Sequence, residues 1–173
     1  GVMAATLALL VQDQLRGTNQ FIGVATVTGI LLGLRTILSM FSAPLSGVLT
    51  DHLGSRWGVT IVVLLIGAVG MELLISPNPV VILIGICFSA VAGGSIQALM
   101  TTRTGDLVKH EHRGKAIGNL HTAGDLGSAL GPITAYALLG TLRLNGLFLM
   151  CALLFTLGAG LAGLLYYRQS SFQ

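Results

Sequence analysis

A chain of 173 residues that is 53% hydrophobic and only 9% charged, against about 25% charged in soluble domains, excludes an ordinary water-soluble fold. Its mean hydropathy of +0.86 belongs to a protein that crosses the membrane several times. The net charge of +3 reflects nine cations, most of them spread over loops, with no basic patch, which excludes nucleic acid as a partner.

The first apolar stretch, residues 1–11, holds eleven residues where a crossing needs roughly 20. It reads as the second part of a truncated span, and the chain as a piece whose upstream part is missing. No basic n-region or cleavage-like site precedes it, so a secretory signal is not expected. Further spans are expected at 21–48, 58–75, 80–100, 115–139 and 146–167. Their lengths suit tilted helices, and none shows the alternation of a barrel strand. The expected fold is an all-α membrane protein, one bundle of six helices over residues 1–173 with no soluble domain or linker.

Local chemistry agrees with these limits. Pro79 stands at the first turn of the fourth span, where its missing N–H costs nothing, and the four-residue loop 76–79, with Pro77 inside it, makes the third and fourth spans antiparallel neighbours. Twenty-four glycines fit helices that approach closely where lipid gives no hydrophobic drive for association, with Gly29/Gly33, Gly127/Gly131 and Ala159/Gly163 as candidate packing pairs. Cys87 and Cys151 lie inside spans with no Cys, His or Asp at metal-ligand spacing, so they read as packing residues and no metal site is expected. Arg56, Arg103, Lys109, Arg113, Lys115 and Arg168 fall on one side, Arg16 and Arg143 on the other. That six-to-two bias puts the loop after the second span and the C-terminal tail in the cytoplasm.

The loop after the second span reads Gly47-Val-Leu49-Thr-Asp51-His-Leu-Gly54-Ser-Arg56. Its glycines let two helix ends turn tightly, and its two charges can exchange partners as helices rock. It resembles the signature Gly-x-Leu-x-Asp-Arg-x-Gly-Arg-Arg/Lys of the major facilitator superfamily. The match holds at Gly47, Leu49, Asp51, Gly54 and Arg56, and departs at His52 and Ser55, where the family usually carries Arg. After the fourth span, Asp106, Arg113 and Gly114 resemble the family's acidic residue followed by Arg-Gly, with Arg113 placed to pair with Asp106 or to reach Asp51. His110, Glu111 and His112 read as solvated loop charge. In the fifth span, Gly127-Ser-Ala-Leu-Gly131-Pro132 resembles the Gly-x-x-x-Gly-Pro stretch of antiporter members, although Ala135-Tyr136 replaces the later Gly-Gly. Pro132 should kink that span.

The resemblance implies a bundle that forms half of a transporter, built as an inverted repeat of two three-span groups. An amino-terminal half usually carries Arg in its fourth helix near the position of Cys87, and no charge lies between Val80 and Met100. The chain also ends as a short tail after the interfacial pair Tyr166 and Tyr167. Both features point to the carboxy-terminal half, whose partner is then the missing amino-terminal half of the same protein.

Three ionisable residues other than His fall within spans: Arg35, Glu72 and Asp125. Glu72 sits in the last turn of its span, at the outer interface. Arg35 lies about 24 Å along its helix from Asp51, and Asp125 about 17 Å from Gly114. These depths differ by less than an Arg side chain's reach, so the two are a candidate intramembrane pair serving a substrate or proton path. The alternatives are a purely structural pair and a snorkelling Arg35. His121, four residues before Asp125, lacks a third ligand and reads as a packing residue.

The function expected is secondary active transport of a small solute by alternating access, with a proton as candidate coupling ion, the lipid bilayer as surroundings and no cofactor. A phosphate-binding Gly-x-x-x-x-Gly-Lys loop is absent, so the chain is no ATPase. A structural or scaffolding membrane protein is the alternative. An intramembrane enzyme is the third reading, against which stands the lack of His-Glu-x-x-His or a Ser/His pair; Ser128 has only His121 as a base at fixed spacing.

Overall fold

The computed structural model describes residues 2–14 and 23–170. Gly1, Arg16, Phe21 and the last three residues of the tail lie outside them. Every regular element is helical: α1 (Val2–Gln14), α2 (Val24–Leu53), α3 (Arg56–Leu73), α4 (Pro79–Leu107), a single 3-10 turn at His110–His112, and α5 (Arg113–Ser170). Among the described residues there is no strand. Four of these helices, α2 to α5, are long and apolar enough to cross a membrane, so the chain is an all-α, multi-pass membrane protein.

The helices outrun the apolar stretches. α2 continues to Leu53 and α4 to Leu107, whereas their apolar runs stop near Val48 and Met100. Hydrophobicity marks the hydrocarbon slab, but the i to i−4 ladder propagates beyond it as long as no residue breaks it. The fifth and sixth expected spans both lie in α5, whose 58 residues are far more than one crossing needs. Its one non-helical residue is Arg143, at φ 53° and ψ 174°, a combination that L side chains rarely adopt and that costs on the order of 1–3 kcal/mol. The backbone stays helical through Pro132.

By contact the chain divides into two compact units, Gly1–Leu34 with Thr101–Leu147, and Arg35–Met100 with Phe148–Gln173. In the first, α1 buries Met3, Thr6, Leu7, Leu10 and Val11, and the Tyr136 hydroxyl donates to the Ala5 carbonyl at 3.1 Å. Thr6 satisfies its hydroxyl on the Val2 carbonyl one turn back, at 3.0 Å. Residues 121–130 of α5 are exposed throughout.

The second unit has a core of Val59, Val63, Ala92 and Leu99, with Ile96 packed against it. Around that core the helices meet backbone to backbone. A Cβ on Gly70 of α3 would lie 2.8 Å from the Ser89 nitrogen of α4, and one on Gly85 would lie 2.8 Å from the Gly70 carbonyl. Gly67 is closed over by the ring of Phe155, 2.7 Å from where its Cβ would stand. Gly94 of α4 rests on α2, where a Cβ would meet the carbonyl and hydroxyl of Ser39 and the hydroxyl of Ser42. Beside it, Ser95 donates to the Ser42 carbonyl at 3.3 Å.

The glycines that permit close approach in this unit are therefore Gly67, Gly70, Gly85 and Gly94, while a Cβ at Gly29, Gly33 or Gly127 would meet nothing within 4 Å. Gly94→Ala should destabilise the protein by about 1–3 kcal/mol, because neither the Ser39 backbone nor the Ser42 hydroxyl can withdraw without moving α2. Gly29→Ala, with open space at its Cβ, should match or slightly exceed wild type. Thermal unfolding of the two variants in a neutral detergent checks the contrast.

Candidate functional site

The segment Gly47–Arg56 is mostly helix. Gly47, Leu49 and Asp51 occupy the last two turns of α2, and the reversal itself takes only Gly54 and Ser55. Gly54 has φ +62° and donates its N–H to the Thr50 carbonyl at 3.0 Å, the left-handed ending that glycine alone adopts without strain. Ser55 then caps α3, its hydroxyl accepting from the Gly58 N–H at 3.2 Å. A position where the family usually has Arg thus carries a side chain that closes the turn locally.

The face of α2 that leads into this turn carries buried hydroxyls. Ser42 donates to the Ser39 carbonyl at 2.8 Å, Ser46 to Ala43 at 2.7 Å and Thr50 to Ser46 at 2.7 Å. Each is satisfied within its own helix, so the strip packs as a small, neutral surface without unpaired polar groups. Pro44 lies inside the same stretch and removes one donor from the α2 ladder.

The charges at the turn sit at the electrostatically wrong helix ends. Asp51 is exposed near the C-terminus of α2, and Arg56 opens α3 at its N-terminus. Each opposes its own helix dipole, a cost of about 0.3–1 kcal/mol apiece.

On the other loop, Asp106 lies inside α4, one residue before its end, and Arg113 opens α5 with its Nε donating to the Val108 carbonyl at 3.3 Å. Gly114 follows in the first turn of α5, with open space where a Cβ would stand. Arg103 also falls within α4. Asp51 and Arg56 belong to the second unit, Asp106, Arg113 and Gly114 to the first.

Of the charges within spans, Arg35 begins the second unit and Asp125 stands exposed in the first, on α5 with the exposed His121. Glu72 is exposed in the last turn of α3. The Arg35 Nε is buried with no hydrogen-bond partner, and its Nη2 lies 4.0 Å from the Cβ position of Gly93 on α4. Gly127, Gly131 and Pro132 lie on one continuous helical stretch of α5, with Gly131 buried and Gly127 exposed. Among the described residues no group of three or more His, Cys, Asp or Glu side chains is placed to hold a metal ion. Sequence reasoning missed the serine strip and Gly93–Gly94; the signal was available in the spacing of Ser39, Ser42, Ser46 and Thr50 along one helical face.

Gly54→Ala should cost about 1–2 kcal/mol from its positive φ alone, since a Cβ there meets no atom, and Ser55→Ala about 1 kcal/mol from the lost cap. Both losses should appear as lowered unfolding temperatures in detergent, and a Ser55→Asp variant, which keeps a capping acceptor, should restore most of the second.

Compared with known proteins, the chain matches no curated protein and no solved structure. Its residues 2–172 do match the family model of the Major Facilitator Superfamily. Since that match covers nearly the whole sequence and the fold is a set of apolar helices joined by the short Gly54–Ser55 reversal, the chain belongs to the Major Facilitator Superfamily of membrane transporters.

Proposed function

We propose that this chain forms the carboxy-terminal half of a secondary active transporter of the plasma membrane, which moves a small solute by alternating access and uses a proton as its coupling ion. The reading rests on the family match over residues 2–172, the observation that carries it. In this reading the signature turn and the C-terminal tail face the cytoplasm, supported by the six-to-two distribution of Lys and Arg. A second bundle, the amino-terminal half, supplies the surface against which this one rocks.

Asp51 is the gate residue of this mechanism. It lies at a helix end that disfavours it, so its stabilisation comes from donors outside α2, either a helix N-terminus or Arg113. Making and breaking those bonds favours one face of the transport cycle over the other. Asp51→Asn keeps the shape and removes the charge. It should insert normally while slowing substrate uptake by about tenfold or more, the rate equivalent of a charge-assisted hydrogen bond worth about 1.5–3 kcal/mol. Uptake into vesicles from cells expressing the gene checks it; wild-type rates in a well-inserted variant would remove Asp51 from the gate.

Arg35 and Asp125 form the intramembrane charge pair, with Asp125 as the proton carrier. Their similar depths, about 24 and 17 Å along the helices from the Asp51 and Gly114 ends, support the pairing. Each alone would leave an uncompensated charge at a cost of several kcal/mol. Removing either should therefore harm stability more than removing both, and exchanging them should restore folding without restoring transport. A double-mutant cycle on unfolding temperature and uptake measures the coupling; additive effects would dissolve the pair.

A further inference from the structure

Between α2, α3 and α4, wholly within the second unit, runs a groove of about 210 Å3 that is open along one side and walled almost entirely by carbon. On α2 its lining extends from Leu38 to Leu49, eleven residues or about 16 Å of helix. Leu38 is the middle residue of the apolar span Val24–His52, and Leu49 stands two residues before Asp51 at the end of that span. The groove therefore starts at mid-membrane and stops at the interface beside the signature turn. That is the depth of one leaflet, about 15 Å in a hydrocarbon core about 30 Å thick.

The chemistry of the walls selects the occupant. Three hydroxyls reach the groove, and each already donates to a carbonyl: Ser42 to Ser39 at 2.8 Å, Ser46 to Ala43 at 2.7 Å and Ser95 to Ser42 at 3.3 Å. Among the described residues no charged side chain lines it. A polar or ionic solute finds neither a free donor nor a counter-charge there, and a water molecule needs two to four polar partners. A neighbouring helix, about 10–12 Å across with its side chains, would rest on the exposed crests Phe41 and Leu45. One of its side chains would fill about one turn, 5.4 Å, of a groove about three times as long. We infer that the groove seats one acyl chain of a bilayer lipid from the leaflet beside the signature turn, lying along α2 with its ester end at Leu49 and its methyl end at Leu38. Held on three sides, the chain makes dispersion contacts with all three helices and completes their packing where no large side chain lies between them.

The test reads position and occupancy without requiring transport. The purified protein in a neutral detergent is titrated with phosphatidylcholine that carries a photoreactive diazirine either near the ester or near the methyl end of one chain, and the adducts are mapped by peptide mass spectrometry. Adducts in the groove should saturate at a single lipid per protein, with the ester-end probe at Leu49 and Val62 and the methyl-end probe at Leu38 and Val91. Adducts on the exposed leucines of α5, Leu153, Leu157 and Leu161, should rise without saturating. Val62→Phe, which enlarges a half-exposed side chain of the groove wall, should cut the groove adducts by about fivefold or more and leave those on α5 unchanged. Unlabelled phosphatidylcholine should raise the unfolding temperature of the wild type more than that of Val62→Phe.

Groove adducts that never saturate, that are no more frequent than those on the α5 leucines, or that persist undiminished in Val62→Phe would each overturn the inference, as would a groove that neither probe labels.

Discussion

Packing helices in lipid cannot rely on hiding apolar surface, because the solvent is as apolar as the side chains. Association then depends on how closely backbones approach, and in the second unit that closeness is set at Gly94 on Ser39 and Ser42 and at Gly70 on Gly85. At such distances dispersion contacts and short-range polar contacts replace the missing hydrophobic drive. The hydroxyls of Ser42, Ser46 and Thr50 fit the same constraint: each is small, and each returns its proton to a carbonyl of its own helix, so α2 presents a thin surface to its neighbour with its hydroxyls already satisfied. Large apolar side chains go outward instead, as Met40, Phe41 and Leu45 do on α2.

The same lipid explains why so few charges enter the spans and why each one that does is informative. A surface charge is cheap and often says nothing, whereas Arg35 is held in a span with an unsatisfied Nε. Asp51 and Arg56 carry the complementary message at the membrane surface. Both sit at helix ends whose dipoles repel them. A bundle arranged this way takes its local stability from the close approach at its glycines.

Fold class was legible because hydropathy reports directly on the slab: the long apolar runs and the Pro79 helix start are where the residues say they are. Helix ends were less legible. Val48 and Met100 end apolar runs, but helices end where backbone bonding fails, at Leu53 before Gly54 and at Leu107 before the turn at Lys109. Glycine spacing misled for a related reason. Gly29 and Gly33 have the right interval, yet an interval says nothing about which face meets a neighbour, and no atom lies within 4 Å of their Cβ positions. Gly70 and Gly85 lie fifteen residues apart across a turn and could be matched only by folding α3 against α4.

Ser55 shows how a departure from a family pattern acquires a physical meaning. Arginine at that position would supply a charge but no acceptor for the first turn of α3, whereas serine supplies the acceptor and caps Gly58. The reversal from α2 to α3 is thereby fixed at both of its residues, Gly54 by its positive φ and Ser55 by its cap. Arg35 lies eighteen residues before Leu53 on the same continuous helix, so the turn and the charge within the span are joined by one element, α2.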